Sequence, residues 1–146
     1  MTRILWRLVE TTTDSEGGVV RLRPTSGSLR NSSMSVNRAK LSTLEWTLCL
    51  QPDREIAQFT ALSARGINLK VYPDPRYICL RCRRDVGKRR IPCPRCGSDE
   101  RVYYNEAHAV VCPKMPDGTA RKFAKEQAKV LEIKPEVRDR ARNLGA

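Results

Sequence analysis

Two C-x2-C pairs, Cys79/Cys82 and Cys93/Cys96, lie ten residues apart and restrict this 146-residue chain more than any other feature of it. Each pair closes a tight turn that aims two sulfurs at one point. Two such turns therefore supply the four soft ligands of a tetrahedral zinc shell. Zinc is the expected metal, with iron the other ion that four thiolates suit. A shell of four protein ligands leaves no position for water, so the single ion is expected to be structural. In small modules its binding, about 10–16 kcal/mol, is largely folding free energy. Gly97 after Cys96 can take the positive φ that turns backbone N–H groups toward sulfur, and Pro94 stiffens the same knuckle. The first knuckle has Arg83 in place of that glycine, which makes a less suitable turn.

Reading the cysteines as ligands depends on compartment. No run of about 18 apolar residues exists, and Arg3 and Arg7 interrupt the opening MTRILWRLVE, so neither a membrane span nor a secretory signal is expected. The expected location is intracellular, cytoplasmic or nucleoid/nuclear with an organelle as the further alternative, and in a reducing compartment paired C-x2-C motifs bind metal and do not form disulfides. With 40% apolar and 5% aromatic residues, the core should be small and aliphatic, with Trp6 and Trp46 as its large anchors.

Along the chain, Arg3–Thr11 and Val19–Pro24 are β-prone runs joined by TTTDSEGG, which reads as a hairpin. Residues 25–37 are rich in Ser and Asn and read as a flexible loop or an arm ordered by a partner. Leu44, Trp46, Leu48 and Leu50 alternate with polar residues, as in a half-buried strand. Pro52, Asp53 and Glu55 suit a helix start, with Ile56, Phe59 and Leu62 on one face and Gly66 as the stop. Ile67, Leu69 and Val71 alternate again, so residues 43–72 read as a β-α-β unit. Residues 101–104 and 107–112 read as two short strands. From Asp117, the residues Ala120, Phe123, Ala124 and Leu131 form a helical stripe, broken at Pro135 and resumed through Val137 and Ala141. The expected fold class is α+β: a small β-α-β-containing N-terminal part (1–75), a four-cysteine zinc ribbon with following strands (76–113) and a basic amphipathic helical tail (114–146).

Tyr77 before the first knuckle, CPRCGS at the second and RVYY after it carry a resemblance. Residues 76–105 resemble the short four-cysteine zinc ribbons of transcription and translation proteins, including small subunits of RNA polymerases and ribosomal zinc ribbons. In that class the ribbon commonly staples a protein into a larger nucleic-acid machine. The resemblance covers about a fifth of the chain and none of residues 1–75.

The net charge of +12 favours a polyanionic partner. Arg81, Arg83, Arg84, Lys88, Arg89, Arg90 and Arg95 face the single acid Asp85 within the ribbon. Zinc with four thiolates has net charge −2, which two nearby cations would balance. The remaining cations form a stiff positive tip suited to phosphates, and arginine's planar fork favours bidentate contacts. Tyr77, Tyr103 and Tyr104 are expected chiefly in sheet packing, with base stacking the alternative. His108, Cys112 and Cys49 read as partly buried or core residues in preference to a second metal site. The cations from Arg121 to Arg142 fit either a second phosphate stripe or a solvated helix face.

Enzyme chemistry is not expected. There is no glycine-rich phosphate loop or nucleophile elbow, and Glu132 with Lys134 matches only the loose end of a nuclease pattern. The sequence points to a non-enzymatic zinc-ribbon protein that binds nucleic-acid backbone, RNA more than DNA, with other subunits of a ribonucleoprotein or transcription-type assembly. The alternative is a structural protein of a viral, phage or other large particle, with the ribbon stapling a protein–protein interface.

Overall fold

The computed structural model describes residues 3–88 and 92–145. A strand with apolar residues at both its odd and its even positions demands a sheet covered on both sides. Strand β1 (Ile4–Val9) is such a strand, aiming Leu5 and Val9 at one face and Trp6 and Leu8 at the other. It lies inside a six-stranded antiparallel sheet together with β4 (Met34–Arg38), β5 (Glu55–Thr60), β6 (Lys70–Pro73), β10 (His108–Cys112) and β11 (Lys129–Val130), in the order β11-β5-β1-β4-β10-β6. On the first face Leu5, Met34, Val36, Phe59 and Val111 pack under α2 (Ala61–Gly66) and α3 (Asp117–Glu126). Phe59 meets Phe123 of α3 edge-on, with ring centroids 5.2 Å apart. On the second face Trp6, Leu8 and Ile56 meet Leu44 and Leu48 of α1 (Leu44–Leu48) and Val137 and Ala141 of α4 (Pro135–Asn143).

Two smaller sheets complete the α+β fold. One is the hairpin of β2 (Thr11–Glu16) and β3 (Val19–Pro24). The other holds β7 (Arg76–Cys79) between β8 (Arg84–Gly87) and β9 (Val102–Asn105), and carries the cysteine module.

Several sequence expectations are corrected. Residues 44–50 are not a strand: Thr43 caps α1 by accepting from the Trp46 amide at 3.2 Å. The alternating apolar residues are two i,i+4 stripes, Leu44/Leu48 facing α4 and Trp46/Leu50 facing the ribbon. Residues 55–60 are a strand and not a helix, with Ile56 and Phe59 on opposite faces of the sheet. The helix starts only at Ala61, where Thr60 accepts from the Ser63 amide at 3.0 Å, and ends at Gly66 as expected. The β-α-β unit is therefore β5-α2-β6, whose two strands run the same way with three others between them.

The hairpin also differs. β2 and β3 pair across Gly17 and Gly18, whose φ values of +59° and +80° meet the demand of a two-residue turn. β1 instead joins the large sheet. Residues 25–37 are no free arm, because Leu29, Met34 and Val36 are all buried and β4 lies inside the sheet. Trp6 and Trp46 are only partly buried, and Phe59 heads the fully buried side chains. The strands expected at 101–104 and 107–112 are present, as is the buried stripe Ala120, Phe123 and Ala124. The C-terminal stretch docks on its own sheet: the Leu131 amide donates to the Ile56 carbonyl at 2.9 Å, and Arg138 reaches the Pro52 carbonyl and the Glu55 carboxylate.

Phe59→Ala should cost about 3–5 kcal/mol of stability. Val19→Ser, on the exposed hairpin, should change stability by less than about 0.5 kcal/mol. Urea unfolding of both variants checks this, and equal effects would contradict the assigned core.

Candidate functional site

Strand β7 ends at Cys79, the following turn supplies Cys82, and the turn after residue 92 supplies Cys93 and Cys96. All four Sγ atoms lie within 4.8 Å of one another. A tetrahedron with metal–sulfur bonds of about 2.3 Å has edges of about 3.8 Å. The Cys79–Cys96 separation of 3.7 Å meets that edge, and the Cys82–Cys93 separation of 3.1 Å needs to open slightly. The four residues thus fit one tetrahedral metal ion. Among the described residues no other group of three or more His, Cys, Asp or Glu side chains converges in this way.

Both knuckles turn through the left-handed region just after their second cysteine, at Arg83 (φ +60°) and Gly97 (φ +64°). The Gly97 amide closes its knuckle on the Cys93 carbonyl at 2.7 Å. The hydrogen bond from Cys82, together with the backbone N–H groups of Cys96 and Arg95, pulls Cys93 down to about 6. Sharing that proton pushes Cys82 up to about 12. A cation within the shell would take the proton's place on each sulfur.

Arg83 accounts for its unfavourable backbone conformation. Its guanidinium donates to the Cys49 carbonyl at the end of α1 and, at 3.2 Å, to the Arg142 carbonyl in α4. Gly145 approaches that guanidinium so closely that a Cβ there would collide with it. Beside this clamp Trp46 stacks flat on Tyr103, with centroids 3.9 Å apart and planes 8° from parallel. Ile78, Leu80 and the buried Cys49 fill the seam. Burial pushes the Cys49 thiol up to about 11, as suits an inert core cysteine.

A second anchor was not visible in the sequence beyond its PDP turn. The buried Asp74 accepts from Arg76 Nε at 2.9 Å and faces Lys88 Nζ and His108 Nδ1, each at 3.3 Å. Burial alone would raise the Asp74 pKa, but the hydrogen bonds from Arg76 and Lys88 outweigh it and hold the carboxyl below its ordinary value. His108 Nδ1 also meets the Asp74 carbonyl at 2.8 Å, so this histidine belongs to the hinge of the ribbon.

The expected phosphate contacts separate into three groups. Arg81, Arg84 and Arg95 are exposed and have no ion-pair partner among the described residues. Arg83 points inward, and Lys88 is shared with Asp74. Arg89 and Arg90 lie outside the described residues. Tyr103 is packing, whereas Tyr77 and Tyr104 form a tilted pair 4.9 Å apart, with Tyr104 48% exposed. The C-terminal arginines are paired: Arg121 with Asp117, Arg138 with Glu55, Arg140 with Glu45, and Arg142 with Asp53 and Asp139. Comparison with protein-family models, curated proteins and solved structures finds no match.

In metal-free protein one thiolate, that of Cys93, should appear by ultraviolet absorbance as pH rises through about 6. Absence of any thiolate until the ordinary cysteine range near about 8.5 would contradict the knuckle geometry. Arg83→Ala should lower stability by about 1.5–3 kcal/mol through loss of charge-assisted hydrogen bonds. An unchanged urea midpoint would show that the clamp contributes nothing.

Proposed function

We propose that this protein is a non-enzymatic subunit of a ribonucleoprotein or transcription-type assembly, in which one structural zinc ion holds a basic hairpin against nucleic-acid backbone. Cys79, Cys82, Cys93 and Cys96 would bind the ion, which supplies rigidity and no open coordination position. The observation that carries the reading is that Arg81, Arg84 and Arg95, each within two residues of a clustered cysteine, are exposed and have no ion-pair partner among the described residues. Each can grip a phosphate through two parallel N–H···O bonds. RNA is favoured over DNA because the half-exposed Tyr104, braced by Tyr77, offers a ring to an unpaired base.

A second reading, a structural protein of a large particle, draws on a different observation. Val19 and Val20 on the β2–β3 hairpin are 65% and 66% exposed, more apolar surface than a solvated turn needs.

The test replaces Arg81, Arg84 and Arg95 by Ala. Loss of three phosphate contacts should reduce the slope of log affinity against log salt by about 2–3 for single-stranded RNA. Elemental analysis should still find one zinc per chain. An unchanged slope with zinc retained rules out the hairpin as the contact surface.

A further inference from the structure

Between the second face of the large sheet, α1 and the cysteine module lies a cavity of about 210 Å³. The strand registers show what opens it. β1 and β4 pair only at Leu5/Arg38 and Trp6/Asn37, whereas β1 follows β5 as far as Val9 and β4 follows β10 as far as Met34. Arg7 sits where the two strands part and spans the gap. It donates from Nε to the Ser28 carbonyl at 2.9 Å and from Nη1 to the Ser35 carbonyl at 2.8 Å. Trp6, Asn37 and His108 stand side by side across β1, β4 and β10 and form the floor. Trp46, Thr47 and Leu50, in and just after α1, form one wall, and Ile78, Asp85 and Asn105 of the ribbon form the other.

Three groups around this cavity have unmet demands. Asn105, only 4% exposed, donates from its amide nitrogen to Asn37 Oδ1 at 3.0 Å, while its own Oδ1 is buried with no partner among the described residues. Asn37 in turn donates to Thr47 Oγ1 at 3.1 Å, so reversing both amides moves the vacancy from oxygen to nitrogen without filling it. His108 Nδ1 meets the Asp74 carbonyl, which can only accept, so Nδ1 carries the proton. Nε2 of the neutral ring is then a bare acceptor, with no hydrogen bond among the described residues. Arg7 has carbonyl partners but no carboxylate among the described residues. Burial, and after it the charge of Arg54, lower its pKa. Asp85 on the ribbon wall offers no relief, being engaged by Arg76 and by the Gly87 amide.

We propose that this cavity takes one nucleotide, its base against the indoles of Trp6 and Trp46 with an edge on Asn105 and His108 Nε2, and its phosphate on the remaining Nη2 of Arg7. Tyr103 occupies one face of Trp46, which leaves the other to a ligand. Water would satisfy the polar atoms but needs neither indole nor guanidinium. An aromatic acid would suit the rings and Arg7 but leave the Asn105 amide unfilled. A nucleotide offers a π-face, an N–H-bearing edge and a phosphate in one molecule. The volume admits one base and no stack of bases. Adenine suits the edge best, because an amino group beside a ring nitrogen matches the Asn105 amide in either orientation. A free nucleotide and a unit of single-stranded RNA share this chemistry, and the test separates them. None of Arg81, Arg84 and Arg95 lines the cavity, so the assignment goes beyond the hairpin reading and stands without it.

Both tryptophans of the chain line the cavity, so intrinsic fluorescence reports its occupation. Zinc-loaded full chain is titrated with AMP, adenosine, inorganic phosphate, benzoate and a short oligoadenylate. AMP should quench saturably, adenosine should bind about 10- to 150-fold more weakly for want of charge-assisted bonds, and phosphate should not quench. Arg7→Gln should bring AMP to the affinity of adenosine and leave adenosine unchanged, a split that a merely structural defect would not produce. Asn105→Leu should weaken both about 3- to 10-fold. Ser35→Phe, at an exposed position of the rim, should abolish quenching. Circular dichroism verifies the fold of each variant. Quenching by oligoadenylate but not by AMP upholds the cavity and makes its occupant a base of a strand. No quenching by either assigns the cavity to water and overturns the proposal. Wild-type AMP affinity in the Ser35→Phe and Asn105→Leu variants overturns it as well. Benzoate binding as tightly as AMP overturns it in favour of a general aromatic-acid site. The Arg81/Arg84/Arg95 variant should bind AMP as wild type does, so the two readings stand or fall separately.

Discussion

A sheet that is apolar on both faces has to be covered twice, and this requirement organises the molecule. β1 is the clearest case, sending Leu5 and Val9 one way and Trp6 and Leu8 the other. The N-terminal half can supply only short covers, since α1 spans Leu44–Leu48 and α2 spans Ala61–Gly66. The C-terminal stretch provides the rest, with α3 on one side and α4 on the other. Segments that look separable along the chain thereby become one packed body. β10 and β11 enter the same sheet as β1 and β5, so the cysteine module is inserted between strands of a single core.

That insertion is secured by more than chain connectivity. Trp46 on Tyr103, Arg83 on two carbonyls and Asp74 among three cationic or ionisable partners fix the ribbon at three points. A small hairpin joined to a body through flexible segments would sample many orientations relative to it. Here the orientation of the four sulfurs relative to the large sheet is set by contacts within the chain itself.

What is legible in the sequence is local. The C-x2-C spacing and Gly97 announce the knuckles because a metal-binding turn is complete within a few residues. The stripe of Ala120, Phe123 and Ala124 is legible for the same reason. Leu44 to Leu50 imitates a strand because four apolar residues at every second position are also two i,i+4 pairs, and only Thr43, as a cap, separates the cases. Glu55 to Thr60 misleads differently: Asp53 and Glu55 resemble a helix start, and only burial on both sides makes Ile56 and Phe59 strand residues. The polar tract 25–37 resembles an arm because its few apolar residues are spread thinly, yet Leu29, Met34 and Val36 are each buried. Charge is visible in the sequence but pairing is not, since Arg83 finds Cys49 across 34 residues and Asp74 meets His108 across the same separation.

Arg83 makes the first knuckle and helix α4 parts of one lock whose keyhole is Gly145. Any side chain larger than hydrogen at 145 would occupy the space that the guanidinium now fills. The guanidinium or the end of the chain would then have to shift, and a shift of the guanidinium loosens its hold on the Cys49 and Arg142 carbonyls. A methyl group at that one position would thus bear on the join between the cysteine module and the C-terminal helix, far from it in sequence.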